Sequence, residues 1–157
     1  MDIIALSAAD IDAMWTINEQ GLPGTGKVSK DEIRQLLEFS SLSLGAYEHG
    51  KLLGFVICLP PNTAYGSLNY AWFNEYYDSF VYVDRIAVSK EQRNKGIGSI
   101  LYNHVVSYSE QHGVPIAAEV SREPPNPGSM RFHQRFGFEK VGVLHHAEKS
   151  VTMFLKQ

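Results

Sequence analysis

Apolar positions along the chain repeat with two periods, one typical of strands and one typical of helices. Strand-like runs, bounded by glycine, proline or charged residues, occupy residues 3–6, 42–47, 52–59, 80–88, 115–121, 141–146 and 151–155. Helix-like spacing follows Ser7 and Ser29, and then fills residues 96–112 and 129–136. The order of elements is therefore β, α, α, β, β, β, α, β, α, β, β. Because hairpins alternate with a strand-helix-strand unit, this order predicts an α/β fold built on a mixed sheet.

Signals at the ends of these elements support the assignment. Ser29 and Glu32 have the spacing of a capping box at the start of the second helix. Gly113 follows the long helix at the position where a left-handed residue usually ends one. Gly50 lies in the turn of the predicted hairpin, where glycine is favoured. The strand, helix and strand within residues 80–121 predict the parallel crossover of the sheet.

Length, charge and cysteine content restrict the class of protein. The 157 residues carry 14 basic and 17 acidic side chains, a net charge of −3, which argues against nucleic-acid binding through a basic surface. No apolar run approaches the roughly 18 residues that span a membrane. The single cysteine, Cys58, lies in an apolar run, which predicts a buried side chain rather than a disulfide. We expect one domain over residues 1–157 in a soluble, cytoplasmic protein.

A glycine-rich turn between a strand and a helix is the first candidate binding site. Gly96 and Gly98 follow the strand at residues 80–88 and open the long helix. Glycines at such a turn let the backbone approach a ligand, and the free N–H groups of the helix favour an anion. Arg93 and Lys95 add positive charge. The segment predicts a phosphate or pyrophosphate site, and the alternative is a tight turn with a solvated basic edge.

Two motifs in the second half of the chain resemble those of the GNAT acyltransferase superfamily. Residues 93–98, RNKGIG, are similar to its R/Q-x-x-G-x-G/A motif. Residues 126–138, NPGSMRFHQRFGF, resemble its N-x-x-A/S-x-x-F-Y-x-x-x-G-F segment in register. The resemblance is close from residue 80 to 138 and loose before residue 42. Residues 68–73, LNYAWF, and residues 132–133, FH, are similar to an uncharacterised bacterial subgroup, which implies no substrate. The resemblance to the superfamily implies a splayed, mostly antiparallel sheet of six or seven strands flanked by about four helices.

The resemblance also implies where acetyl-CoA binds. The co-substrate is expected in a cleft between the strand that ends at Val88 and the strand that ends near Ser121. The pyrophosphate would lie on backbone N–H groups of Arg93, Asn94, Lys95, Gly96, Ile97, Gly98 and Ser99. The pantetheine would pair with the backbone of Ile86, Ala87 and Val88, and Asn126 and Ser129 would line the cofactor arm. The implied reaction is direct attack of an amine on the thioester, with no metal.

This chemistry needs a base for the ammonium proton and an acid for the departing thiolate. Glu119 and Asp84 each interrupt an apolar strand beside the expected cleft, and Glu119 is the slightly preferred base. The alternatives are a water chain, or carboxylates that merely pair with Arg85 or Arg122. His133 stands where many members of the superfamily have a tyrosine acid. Histidine could supply the acid as imidazolium, orient the cofactor, or be a polar residue of a short helix.

Three further segments carry weaker signals. The aromatic segment at residues 65–77 includes Tyr70 and Trp72, predicted to contact the acceptor, with a homodimer surface or core packing as alternatives. Residues 21–27 fit the start of a nucleotide P-loop, but Val28 replaces the required Ser or Thr. The resemblance to the GNAT superfamily instead implies that this loop borders the acceptor site. His145 and His146 are adjacent on a strand, so they point to opposite faces and do not predict a metal site.

The resemblance therefore implies an N-acetyltransferase that moves the acetyl group of acetyl-CoA to a primary amine. The acceptor is a small amine, an amino acid, or a protein N-terminus or lysine. The alternative from another class is a non-catalytic acyl-CoA-binding sensor or interaction module. An intact glycine turn at residues 93–98 favours the enzyme.

Overall fold

The computed structural model describes all residues from 1 to 157 and contains seven strands and five α-helices. In chain order these are β1 (Asp2–Ala5), α1 (Ile11–Gln20), α2 (Lys30–Phe39), β2 (Leu42–Glu48), β3 (Lys51–Leu59), α3 (Leu68–Tyr76), β4 (Val81–Val88), α4 (Ile97–His112), β5 (Ile116–Glu123), α5 (Pro127–Arg135), β6 (Glu139–His146) and β7 (Lys149–Lys156). Short 3₁₀ turns precede α1 and α4. None of the helices has the length and hydropathy that a membrane crossing requires.

All seven predicted strands and four predicted helices are present, and their local signals act as expected. The hydroxyl of Ser29 accepts the Glu32 N–H, and the Glu32 carboxylate accepts the Ser29 N–H, each over 3.1 Å. Gly113 ends α4 in the left-handed conformation, with φ of 64°. Ser7 begins a 3₁₀ turn rather than the α-helix itself, which starts at Ile11.

The fifth helix, α3, lies within the aromatic segment and was not predicted. Its start is capped by Ser67, whose hydroxyl accepts the backbone N–H of Tyr70 over 3.2 Å. Tyr70 and Phe73 are three positions apart, so both side chains point into the core, where they are 1% and 0% exposed. Aromatic residues cover almost every face of this segment, which hides the helical period in the sequence.

The sheet has the strand order β1-β2-β3-β4-β5-β7-β6. All neighbouring strands are antiparallel except β4 and β5, which are parallel. The parallel pairing consists only of Val81 with Ile116 and Tyr82 with Ala117. Beyond these two pairs the strands separate, so a cleft opens at their carboxyl ends. The splayed, mostly antiparallel sheet is confirmed.

Two apolar cores cover the two faces of the sheet. The first core packs α1, α2 and α3 against one face and includes Met14, Ile33 and Phe73. The second core packs α4 and α5 against the other face and includes Leu101 and Phe138. The cleft between β4 and β5 therefore connects the two helical layers. Cys58, predicted to be buried, is 0% exposed in the second core, and burial raises the pKa of its thiol.

A β-bulge in β4 changes which side chains reach the cleft. Ile57 and Cys58 on β3 are paired with Arg85 and Val83, which leaves Asp84 as the extra residue of β4. In a regular strand Asp84 and Arg85 would point to opposite faces. The bulge turns both side chains to the same side, where they form an ion pair over 2.7 Å.

Candidate active site

A cavity of about 430 Å³ lies where β4 and β5 separate. Its walls come from both faces of the sheet. Asp84, Arg85 and Glu119 lie on the side of α1, α2 and α3, while Tyr102 and His133 lie on the side of α4 and α5. We call this the central cavity. It brings the two predicted catalytic carboxylates and the predicted acid into one space.

Glu119 has the environment of a carboxyl group that gives up its proton near neutral pH. Its Oε1 accepts from the Tyr82 hydroxyl over 2.7 Å and from Asn69 Nδ2 over 3.2 Å. Its Oε2 is buried and has no hydrogen-bond partner. Burial raises the pKa of Glu119 to about 8, although the two hydrogen bonds and the Arg85 charge oppose the increase. An unpartnered oxygen with this pKa suits proton abstraction.

The Asp84 carboxylate instead forms an ion pair with a neighbouring cation of the protein. Its side chain is 3% exposed, and its Oδ2 accepts from Arg85 Nε over 2.7 Å. Arg85 Nη1 also donates to Asn18 Oδ1 and to the Gly26 carbonyl, each over 3.0 Å. The expected alternative for Asp84, a carboxylate paired with Arg85, therefore describes its geometry. Through Arg85 it ties β4 to α1 and to the loop at residues 21–27.

His133 is 5% exposed, and both of its ring nitrogens have partners. Nδ1 lies 2.8 Å from the carbonyl of Ser129, and Nε2 lies 2.7 Å from the hydroxyl of Tyr102. Because a carbonyl only accepts, Nδ1 carries the proton in the neutral ring and Tyr102 donates to Nε2. Burial lowers the pKa of His133, against the opposing effect of the Ser129 carbonyl. The same burial disfavours the imidazolium form that the acid alternative for His133 requires.

A second cavity, of about 550 Å³, adjoins the central cavity and shares Ile86 and Ser129 with it. We call it the cradle cavity. Its lining includes Val88 and the residues of the glycine turn, namely Arg93, Asn94, Gly96, Ile97, Gly98 and Ser99. The side chains of Phe132 and Arg135 complete it from α5.

The glycine turn has the geometry that an anionic group requires. Gly96 adopts φ of +82°, which directs the chain into α4 without a side-chain cap. The N–H groups of Ile97, Gly98 and Ser99 belong to the first turn of α4 and have no partner within the helix. Arg93 and Arg135 add positive charge at the rim. Free N–H groups, a helix N-terminus and two guanidinium groups fit the diphosphate of a CoA molecule.

Three predicted cofactor residues lie outside the walls of these two cavities. Ala87 turns its side chain to the opposite face of the sheet, into the first core, because it alternates with Ile86 and Val88. Lys95 is exposed and donates to Gln92 over 3.3 Å. Asn126 caps α5 by accepting the Ser129 N–H over 3.3 Å, and it lines a smaller rim cavity with the loop at residues 21–24.

The structure does not bring Tyr70 and Trp72, the predicted acceptor residues, to either cavity. Tyr70 is 1% exposed, and its hydroxyl contacts the backbone of Pro60 and Thr63. Trp72 packs between Tyr76 and Gly142, where a side chain on Gly142 would overlap the indole ring. Both residues build the core under α3, which corresponds to the packing alternative. The residue of this segment that reaches Glu119 is Asn69.

The loop at residues 21–27, which was expected to border the acceptor site, lines the central cavity through residues 23–27. Asn18 fixes the loop by donating to the Gly26 carbonyl over 3.0 Å and by accepting Thr25 Oγ1 at its own carbonyl. His145 is exposed, whereas His146 turns to the central cavity. No group of three or more His, Cys, Asp or Glu side chains is arranged to hold a metal ion.

Several side chains of the site were missed from the sequence. Asn69 and Tyr82 contact Glu119 from positions 50 and 37 residues away, and Tyr102 contacts His133 from 31 residues away. Arg135 reaches the cradle cavity from α5. In the sequence, Tyr82 in a strand and Tyr102 in a helix cannot be distinguished from ordinary core residues. Only the register of neighbouring elements reveals their polar partners.

Comparison with protein families gives an independent assignment. Residues 11–138 match the model of the Acetyltransferase (GNAT) family. This span contains the central cavity's Glu119 and His133 as well as the whole glycine turn. No curated protein sequence is significantly similar to the chain.

The chain also has the same fold as several solved structures, three of which have the following similarity. Ard1 from Thermoplasma volcanium has a TM-score of 0.78 at 19% identity, covering 98% of this chain and 95% of that chain. Arabidopsis thaliana NAA60 in complex with acetyl-CoA has a TM-score of 0.77 at 20% identity, covering 98% of this chain and 97% of that chain. The ribosomal-protein-S18-alanine N-acetyltransferase from Escherichia coli has a TM-score of 0.76 at 17% identity, covering 99% of this chain and 92% of that chain. These likenesses show that the fold extends over the whole chain.

Proposed function

Because the chain belongs to the GNAT acetyltransferase family, we propose that it transfers the acetyl group of acetyl-CoA to a primary amine. The main support for the proposal is that two complementary sites adjoin each other in one cleft. Glu119 presents a buried, unpartnered Oε2 in the central cavity, and the free N–H groups of the glycine turn lie in the adjoining cradle cavity. A proton acceptor beside a diphosphate cradle is what this reaction needs.

The cradle cavity would hold the co-substrate. Backbone N–H groups of Ile97, Gly98 and Ser99 would bind the diphosphate, with Arg93 and Arg135 at its edge. Ile86 and Ser129, which line both cavities, mark the passage to Glu119. Bound acetyl-CoA would supply an activated thioester, whose acetyl carbon bonds to the amine nitrogen while the carbon–sulfur bond breaks.

The central cavity would move two protons. Glu119 would take a proton from the acceptor ammonium or amine at Oε2. On the other side of the cleft, the Tyr102 hydroxyl would turn from His133 Nε2 and give its proton to the departing thiolate, and solvent would later return a proton to Tyr102. Burial raises the pKa of the Tyr102 hydroxyl well above 10, so this group holds its proton at neutral pH. The backbone N–H groups of the splayed part of β4 are candidate donors to the oxyanion.

The acceptor is proposed to be a primary amine on a small molecule or on a protein. A protein amine is supported by the Escherichia coli structure, an enzyme named for a ribosomal-protein alanine. The alternative, a non-catalytic acyl-CoA sensor, predicts binding without turnover. A cytoplasmic location and a homodimer remain predictions from the sequence.

The proposal is tested by the release of free thiol from acetyl-CoA in the presence of a panel of amines and short peptides. We expect Glu119→Gln to lower kcat by about 10²-fold or more, the usual scale of general-base catalysis, with unchanged acetyl-CoA affinity in calorimetry. Glu123→Gln is the matched control, because Glu123 is an exposed carboxylate at the end of the same strand. Acetyl-CoA binding without thiol release for any acceptor would favour the sensor. Full activity of Glu119→Gln would remove Glu119 as the base.

A further inference from the structure

Helix α3 carries one side chain into the central cavity, opposite β5. Asn69 lies in its first turn, and its Nδ2 donates to Glu119 Oε1 over 3.2 Å. Its Oδ1 lies 3.2 Å from Nε2 of His146, at the end of β6. On the basis of the proposed function, we infer that Asn69 and His146 are positioning residues that orient Glu119 toward the acceptor amine.

The chemistry of the amide fixes the direction of this hydrogen-bonded chain. A side-chain amide accepts only at Oδ1 and donates only at Nδ2. Because Glu119 Oε1 already accepts from Tyr82, Nδ2 must face Glu119 and Oδ1 must face His146. His146 therefore carries a proton on Nε2, which holds for one neutral tautomer and for imidazolium. The chain of donors runs from β6 through α3 to β5 in either state of the histidine.

This arrangement determines which oxygen of Glu119 is basic. Oε1 accepts two hydrogen bonds, from Asn69 and Tyr82, whereas Oε2 is buried and accepts none. Protonation of Oε1 would set an O–H against two donors, so an incoming proton binds Oε2. By occupying Oε1 and preventing rotation of the carboxylate, Asn69 keeps the basic oxygen at the acceptor.

Other ionisable groups line the central cavity around Glu119 or contact it directly. They are Tyr82, Asp84 and Arg85 on β4, Tyr102 on α4, His133 on α5, Lys27 and Tyr65 on loops, His146 on β6 and Lys149 on β7. The Asp84 charge raises the pKa of Glu119 and the Arg85 charge lowers it. Only Tyr82 among them is hydrogen-bonded to the carboxyl group. Among these groups, substitution of Asn69 removes a hydrogen bond only from His146, so its effect on Glu119 is compared with that of His146→Ala.

The test is the pKa of Glu119 and the pH profile of kcat in Asn69→Ala. In protein with ¹³C-labelled glutamate, the Glu119 carboxyl resonance is identified by its loss in Glu119→Gln and then titrated by NMR. Removing a donor to a carboxylate raises the pKa, by about one pH unit for a charged hydrogen bond. We expect the NMR midpoint and the rise of kcat with pH to move upward together, with kcat lowered about tenfold at pH 7 and the KM for acetyl-CoA unchanged. Asn69→Asp should move both further, because it adds a negative charge.

The control is Asn74→Ala, which removes an asparagine of the same helix whose Oδ1 accepts the Asn62 N–H away from the cavity. It should leave the midpoint of Glu119 unchanged. His146→Ala should shift the midpoint in the same direction as Asn69→Ala but less, and His146→Gln should restore part of the wild-type value because its amide can donate. These two variants test the inference without altering α3.

The outcomes separate this inference from the proposed function, because the NMR titration needs no turnover. An unchanged Glu119 midpoint in both Asn69→Ala and His146→Ala would overturn the positioning role. A shifted midpoint without any change in the pH profile would leave Glu119 oriented by Asn69 but would remove it as the base of the reaction. A loss of kcat in Asn74→Ala equal to that in Asn69→Ala would assign the effect to the stability of α3.

Discussion

The cradle cavity and the central cavity adjoin each other, yet they are built from different parts of the chain. Most residues of the cradle cavity lie within the continuous segment from residue 86 to 99, and its binding groups are backbone N–H groups. The central cavity takes side chains from residues 23 to 151, including Asn69, Glu119 and His133. A site made of backbone depends on local conformation, whereas a site made of side chains depends on packing between distant elements. The two cavities should therefore respond differently to substitution.

The sharpest expected contrast comes from an added charge in the cradle cavity. A Cβ on Gly98 would lie 3.6 Å from the Phe132 ring, an ordinary contact, so Gly98→Asp should fold. Its carboxylate would face the diphosphate, and two unit charges about 4 Å apart repel by roughly 4 kcal/mol near a protein surface. We expect the affinity for acetyl-CoA in calorimetry to fall by about 100-fold or more.

Gly98→Asn is the matched control for this change, because it adds nearly the same volume without the charge. It should lose far less affinity than Gly98→Asp. Equal affinity of the Asp variant and the wild type would mean that the diphosphate binds elsewhere.

A second prediction concerns the hydrogen-bonded pair of Tyr102 and His133, on the α4 and α5 side of the central cavity. Tyr102→Phe keeps the packed ring and removes only the hydroxyl that donates to His133 Nε2 over 2.7 Å. We expect kcat to fall by roughly 10- to 100-fold, toward the lower end of acid–base catalysis, with acetyl-CoA affinity unchanged.

His133→Phe should have a similar effect, and the double variant should lose little more than either single variant, because the two groups act as one unit. Additive losses in kcat would show that the pair does not act together. Wild-type kcat in both single variants would assign the pair to packing.

Arg85 gives a third contrast, since it connects the central cavity to the loop at residues 21–27. Arg85→Lys keeps a positive charge beside Asp84 but cannot reach Asn18 and Gly26 with the same planar group. We expect the KM for the acceptor to rise about 3- to 10-fold and the KM for acetyl-CoA to stay constant, on the scale of one or two lost hydrogen bonds. Arg122→Lys, on an exposed arginine that contacts Ser150, is the control. A changed KM for acetyl-CoA alone would contradict this division of the cleft.

The smallest expected effect concerns the charge at the mouth of the central cavity. Lys27 and Lys149 line it, are exposed, and have no acidic partner, whereas Arg85 is paired with Asp84. The double variant Lys27→Gln/Lys149→Gln removes both charges. It should raise the KM for an acidic peptide about 2- to 5-fold, the scale of exposed charges, and leave the KM for a neutral peptide unchanged. The difference should shrink at high salt. An equal change for both peptides would exclude a charge effect.

The sequence alone was sufficient for the parts of the protein that local rules control. The capping box of Ser29 and Glu32, the left-handed Gly113, the strands and the glycine turn at residues 93–98 all depend on residues close in sequence. The parallel crossover within residues 80–121 followed from the order of its strand, helix and strand. The family resemblance then located Glu119 and His133, and both line the central cavity.

Only the tertiary structure determined how these side chains act. The bulge that pairs Asp84 with Arg85, the helix that carries Asn69 to Glu119, and the hydroxyl of Tyr102 that makes His133 a hydrogen-bond acceptor all join residues far apart in sequence. The sequence also failed for Tyr70 and Trp72. Tyr70 is buried in the core under α3 and Trp72 packs against that core, so neither reaches the cavities that their aromatic character suggested. The ionisation of a side chain depends on which groups surround it after folding, and those neighbours are set by the packing of the sheet against its two helical layers.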